Sequence, residues 1–212
     1  MRAVVVAASA LSSDLDRAQL TDADLLVAVD GGAEALKRVG LRPSILVGDL
    51  DSIRPATRHE LEAAGVELVL LPAAKDLTDT EAALRLAAER GAQDITVYGA
   101  LGGPRLDHLV GNLLLLASPW LAACRVRLVD ERHEAFLARR DVSFAGEPGD
   151  TVSLLPLTPC VEEVRTEGLL YSLAGEPLYQ ASTRGISNVM TGQQARVAHG
   201  EGVLLVIHYR GR

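Results

Sequence analysis

Lysine is almost missing from this chain: Lys37 and Lys75 are the only two among 21 basic residues, and arginine supplies the rest. The net charge is -7, which argues against general nucleic-acid binding through a basic face. A local basic pocket can still take a phosphorylated ligand. Cysteine is scarce as well. Cys124 and Cys160 lie far apart and match neither CxxC nor a zinc spacing, which argues against a metal ribbon and predicts two reduced thiols in the cytoplasm. No apolar run reaches membrane-spanning length. The stretch from Met1 to Ala10 has the look of a signal peptide, but Ser12, Ser13, Asp14 and Asp16 follow at once, as they do after a first buried strand, predicted over 3–8. Neither GxGxxG nor GxxxxGK[ST] occurs, which disfavours dinucleotide enzymes and P-loop NTPases.

What is present is a core-forming composition: 212 residues, 48% hydrophobic and 23% charged, enough for one large domain or two modest ones. Up to about residue 140, apolar runs alternate with helical segments. Strands are predicted at 25–29, 45–47, 66–71, 95–98 and 125–129, with helices over 33–39, 55–64, 80–90 and 107–117. Gly40, Gly65 and Gly91 stand where C-terminal caps belong. Strands without polar alternation between such helices imply a doubly wound, mostly parallel sheet with helices on both faces. From 141 to 212 the pattern changes to strands at 142–144, 151–155, 161–166, 196–198 and 203–209, separated by Gly, Pro and Ser turns. This is an all-β unit of about 70 residues, near the lower limit for folding alone. It is expected to pack on the first domain or on a partner subunit.

The chemistry concentrates where the predicted parallel strands end. Asp30 closes one strand. Asp49 and Asp51 follow the next in Gly-Asp-Leu-Asp-Ser, and Asp76 and Asp79 lie in Lys-Asp-Leu-Thr-Asp-Thr-Glu. Asp107 closes Gly-Gly-Pro-Arg-Leu-Asp-His. In open α/β sheets ligands bind beyond these carboxyl ends. A single Asp after a strand is ordinarily a cap or turn former. Paired ones in successive loops suit Mg²⁺, which takes one or two carboxylates and completes its octahedron with water and phosphate oxygens. Asp49 and Asp51 can meet at one ion only if Gly48 lets the backbone bend. Lys75 offers a compact ammonium inside the acidic set, and Arg105 a fork for phosphate. The Gly99–Gly103 loop can bring backbone N–H groups to phosphates at a helix start. His108 is open between base, phosphate ligand and cap. Taken alone, Ser187 and Asn188 read as an ordinary turn.

In this order, Asp30-Gly31-Gly32, Gly48 to Ser52, Lys75 to Leu84, Gly102 to His108, Asn112, Glu167 to Leu173 and Arg184 to Asn188 resemble the thiamine pyrophosphokinase family along essentially the whole chain. Pro104 is an extra residue between the family's Gly-Gly and Arg, and Val189 stands where Glu is frequent. The resemblance implies a catalytic α/β domain over 1–140 and a β-sandwich over 141–212 that binds thiamine and forms a homodimer. The implied reaction is Mg²⁺-dependent transfer of the pyrophosphoryl group of ATP to thiamine, giving thiamine diphosphate and AMP. It places Asp49, Asp51 and Asp79 as metal ligands, with Asp76 and Asp107 completing the catalytic carboxylates. Asp30, Gly31, Ser52, Lys75, Thr78, Arg105, His108 and Asn112 fall at the nucleotide and its phosphates, and Ser187 and Asn188 at thiamine. The alternatives are a pyrophosphokinase for another hydroxymethyl heterocycle, such as a pterin, and a non-catalytic thiamine or nucleotide binder.

Overall fold

The computed structural model of the chain describes residues 1–7, 17–72 and 74–211. The end of the strand expected over 3–8, and the polar break at Ser12, Ser13, Asp14 and Asp16, lie outside the described residues. The chain divides into two units, Met1–Glu131 and Arg132–Arg212.

In the first unit, apolar five- and four-residue runs become strands, buried at the centre of the sheet and open at its β4 edge: β1 (Arg2–Val6), β2 (Leu25–Val29), β3 (Ile45–Gly48), β4 (Glu67–Leu70), β5 (Asp94–Tyr98) and β6 (Arg125–Val129). Every pairing among them is parallel, in the order β4-β3-β2-β1-β5-β6. The connecting helices are α1 (Arg17–Thr21), α2 (Gly32–Arg38), α3 (Pro55–Ala63), α4 (Asp79–Glu89) and α5 (Leu106–Leu115). Pro55 opens α3, where its missing N–H costs nothing. The Thr78 hydroxyl accepts the Glu81 N–H at 3.2 Å and so caps α4.

Both faces of the central strands are buried. Val4, Val6, Leu26, Ala28 and Leu46 pack with Ala33 and Leu36 of α2 and Leu61 of α3. The alternating set, Val5, Val27, Val29, Ile45 and Val47, is equally buried, and α4 lies against β2 and β3 with Ala83, Leu84 and Ala87 inward. Strand order reverses between β1 and β5, which opens a crevice at the carboxyl ends of the central strands.

The second unit is antiparallel throughout. Its strands are β7 (His133–Ala138), β8 (Asp141–Ala145), β9 (Thr151–Pro156), β10 (Cys160–Glu167), β11 (Ala174–Tyr179), β12 (Asn188–Val189), β13 (Gln194–Ala198) and β14 (Leu204–Tyr209). They form two sheets, β7-β14-β9-β12 and β11-β10-β13-β8. One core joins them: Phe136, Val152, Leu154, Leu204 and Val206 from the first meet Val161, Val164, Leu178, Ala195 and Val197 from the second. The expected α/β domain followed by a β-sandwich is what the chain forms.

Three strands escape a reading of the sequence. Glu134 to Ala138 are mostly good helix formers, yet six registered pairs with β14 hold them extended as β7. β11 carries Pro177, tolerated because this strand lies at a sheet edge. β12 is two residues long. Within the sandwich, His208 is fully buried and its Nε2 lies 2.9 Å from Asp150 Oδ2. Asp150 also accepts the N–H groups of Glu147 and Gly211. Burial works against its charge, but these hydrogen bonds hold the carboxyl below its ordinary range. Cys124 is buried and Cys160 half-buried, both free thiols.

Candidate functional site

The loop after β3 is built around a buried carboxylate. Asp30, in the left-handed region at φ 44°, is 9% exposed and accepts the Leu50 N–H at 3.1 Å. Leu50 itself is left-handed at φ 63°, with its side chain buried. Between them, Gly48 has φ 146°, and a Cβ there would stand 1.8 Å from Asp30 Oδ1. Only glycine lets the strand end pass over this carboxylate. Asp49 and Asp51 are thereby carried on a strongly bent segment, where the Asp51 N–H donates to Asp49 Oδ1 at 3.2 Å. Gly31 N–H donates to Ser52 Oγ at 3.2 Å, which ties the far end of the loop to the start of α2. Glu34 of α2 pairs with the Arg54 guanidinium and accepts the Arg54 N–H; that pairing lowers its carboxyl to about 2.

Charge is concentrated here. Burial pushes the Asp30 carboxyl up to about 6, and Asp79, Asp49 and Asp51 add to the rise while the Leu50 N–H opposes it. Lys75 lies among the same groups, 3.0 Å from Asp79 Oδ1 and 3.2 Å from the Pro72 carbonyl oxygen. Burial works against its charge, but Asp79, Asp49 and Asp30 outweigh that and hold the ammonium above its ordinary value. Four carboxylates and one ammonium thus share one field at the ends of β2, β3 and β4. Among the described residues, no three His, Cys, Asp or Glu side chains converge as a ready-made metal cage.

The other residues singled out from the sequence are arranged differently. Arg105 and Asp107 hold each other through two hydrogen bonds, at 2.9 and 2.5 Å, on the exposed start of α5. The guanidinium lowers the Asp107 carboxyl to about 2. Asp76 and His108 are exposed. Asn112 donates to the Ala100 carbonyl at 2.9 Å and fastens the glycine loop to α5. Thr78 is the α4 cap. In the second unit, Asn188 is 8% exposed and its amide is spent on Tyr171, accepting that N–H at 3.0 Å and donating to that carbonyl at 2.7 Å. It fixes an aromatic that is itself 66% exposed. Ser187 is exposed and left-handed, at φ 60°. The Glu34–Arg54 pair and the Asn188–Tyr171 clamp are what the sequence did not reveal; only Gly48 signalled the close approach over Asp30.

Carboxylates around one ammonium beyond the carboxyl ends of a parallel sheet, followed by a separate β-sandwich, define the class: an α/β protein whose acidic site suits cations that carry phosphates. Residues 17–128 match the family model for the thiamin pyrophosphokinase catalytic domain, and residues 140–204 that for the thiamin pyrophosphokinase vitamin B1 binding domain. The chain belongs to the thiamin pyrophosphokinase family. It is 30% identical over 186 residues to the thiamine pyrophosphokinase of Bacillus subtilis (strain 168), covering 86% of each chain. A crystal structure of thiamine pyrophosphokinase from Bacillus subtilis matches it with a TM-score of 0.87 at 25% identity, over 100% of both chains. A family protein from Enterococcus faecalis matches with a TM-score of 0.86 at 29% identity, again over 100% of both. No helix among the described residues is long and apolar enough to cross a membrane.

Proposed function

We propose that this chain transfers the β,γ-pyrophosphoryl group of ATP to the hydroxyl of thiamine, giving thiamine diphosphate and AMP, with Mg²⁺ as the required metal. The observation that carries this reading is the shared field of Asp30, Asp49, Asp51 and Asp79 beyond the carboxyl ends of β2, β3 and β4, in a chain of this family. The donor set fits Mg²⁺: all its ligands are hard oxygens, and one or two carboxylates suffice when water and phosphate complete the shell. Asp49, Asp51 and Asp79 are the residues that would hold the ion, which would supply neutralisation of triphosphate charge.

The protein's own groups do the rest. Lys75 and Arg105 meet phosphate oxygens, Lys75 as a point charge and Arg105 as a fork. Gly31, Ser52 and the Gly99–Gly103 loop line the nucleotide side, with Thr78 and Asn112 holding their elements in place. Attack by a primary alcohol on phosphorus depends mainly on positioning and charge stabilisation. Asp76, exposed and free of the arginine that occupies Asp107, is the better carboxylate to orient the thiamine hydroxyl. Ser187 contacts thiamine, and Asn188 acts through the backbone it clamps.

The working form is a homodimer in the cytoplasm. Leu106, Val110 and Leu114 make an exposed apolar stripe along α5, at 72%, 46% and 55% exposure, which a second copy would cover. The two free thiols suit a reducing compartment. Product analysis tests the reaction: purified protein with ATP, Mg²⁺ and thiamine should yield AMP and thiamine diphosphate. ADP with thiamine monophosphate would replace this reading with a simple kinase.

A further inference from the structure

β12 does not continue regularly along β9. Asn188 opposes Val152 and Val189 opposes Thr151, a register that would set Ile186 opposite Leu154. Instead the Leu154 N–H bonds to the Gly185 carbonyl at 2.8 Å, so one extra residue is accommodated between 185 and 188. The backbone absorbs it at two points. Gly185 lies so close to β9 that a Cβ would stand 2.2 Å from the Leu154 carbonyl oxygen. Ser187 takes up the remaining bend at φ 60°, a conformation disfavoured for any residue with a Cβ.

A bulge leaves a backbone N–H without a ladder partner, and here that group is Ser187's. It donates to Ser153 Oγ at 3.1 Å. This hydrogen bond holds the turn through a β9 side chain, whereas the Leu154–Gly185 bond runs between backbones. Ser153 is not needed for the core: alternation along β9 sends Val152 and Leu154 into the sandwich, and Ser153 faces the other way. Its hydroxyl accepts the Ser187 N–H and keeps its own proton free to donate.

We propose that Ser153 is a positioning residue for thiamine binding, its hydroxyl capturing the Ser187 N–H and thereby setting the left-handed turn that presents the Ser187 side chain to the substrate. The proposal rests on the reading of the Ser187 turn as the thiamine site, and a double-mutant cycle separates the two. Ser153→Ala should raise the KM for thiamine about fivefold, the worth of one hydrogen bond, and leave the KM for ATP and the melting temperature near the parent's. Ser153→Thr keeps an Oγ in a strand position that suits Thr and should restore the parent value. In a Ser187→Ala background, Ser153→Ala should add little, because its effect passes through Ser187. An unchanged thiamine KM in Ser153→Ala, or an effect that adds in full to that of Ser187→Ala, would overturn the positioning role. If Ser187→Ala alone leaves the thiamine KM unchanged, the placement of thiamine at this turn fails, and the role of Ser153 with it.

Discussion

The acidic loop after β3 and the serine turn before β12 meet the same backbone problem with different chemistry. Each bends the chain through a non-glycine residue in the left-handed region, Leu50 in one and Ser187 in the other. Each also contains a glycine pressed where a Cβ has no room, Gly48 against the Asp30 carboxylate and Gly185 against the Leu154 carbonyl. In the first, the post that holds the bend is a buried carboxylate in a field of like charge. In the second it is a neutral hydroxyl and a backbone ladder. The acidic loop should therefore respond to charge, pH and metal, and the serine turn to shape alone.

The largest expected effect breaks the post itself. Gly48→Ala forces a Cβ onto Asp30 Oδ1, where the gap is 1.8 Å, at a φ that L-residues avoid. Overpacking and backbone strain together should cost about 4 kcal/mol, read as a fall in the denaturation midpoint, with turnover lost. Asp49→Asn and Asp51→Asn come next. Each removes a charge and preserves shape, so the melting temperature should hold while turnover drops about a thousandfold. Near-normal turnover in both would detach these residues from the metal.

A smaller effect follows from the Asp30 carboxyl. The folded chain holds a proton there up to about pH 6, from an ordinary value of 3.8. A raised carboxyl adds nothing below its unfolded value and becomes steadily unfavourable above it, in full once pH passes the folded value. Metal-free protein should thus lose roughly 1 kcal/mol of stability between pH 5 and 7, after allowance for solvent screening at this partly open site. Glu34, lowered to about 2 from 4.5, loses its contribution only below that window. Asp30→Asn still accepts the Leu50 N–H and should flatten the slope, as should Mg²⁺ with ATP. A slope unchanged in Asp30→Asn would assign it to other groups.

Much of this contrast was legible from the residues. The run 25–29 coincides with β2 because a strand buried on both faces needs no pattern beyond apolar continuity, and 125–129 coincides with β6, where Val126 and Leu128 alternate with Arg125 and Arg127. Asp49 and Asp51 stood out because a turn needs one acidic residue and this loop carries two. β7 was hidden because Glu134, Ala135, Leu137 and Ala138 favour helices until β14 is beside them. Asp30 looked like one more strand-end carboxylate, since its burial depends on a loop 20 residues later folding over it. Asn188 read by itself as an ordinary turn residue, and nothing nearby in sequence showed that its amide binds Tyr171, 17 residues earlier. Local propensity marks where chemistry can sit; which polar atoms remain free is decided by contacts remote in sequence.

The finest test compares the left-handed residues themselves. Replacing either Leu50 or Ser187 with glycine relieves a disfavoured φ, a gain of about 1 kcal/mol offset by the added entropy of the unfolded chain. Leu50 is 7% exposed, so its glycine variant also gives up buried apolar area and should be destabilised by about 2 kcal/mol. Ser187 is exposed and forfeits no buried surface, so Ser187→Gly should change stability by no more than about 0.5 kcal/mol. Its cost should appear only in the KM for thiamine, through the missing hydroxyl and a turn free to leave φ 60°. Equal destabilisation of the two variants in a denaturant titration would mean that the serine turn, like the acidic loop, is anchored through its side chain, and would erase the distinction between them.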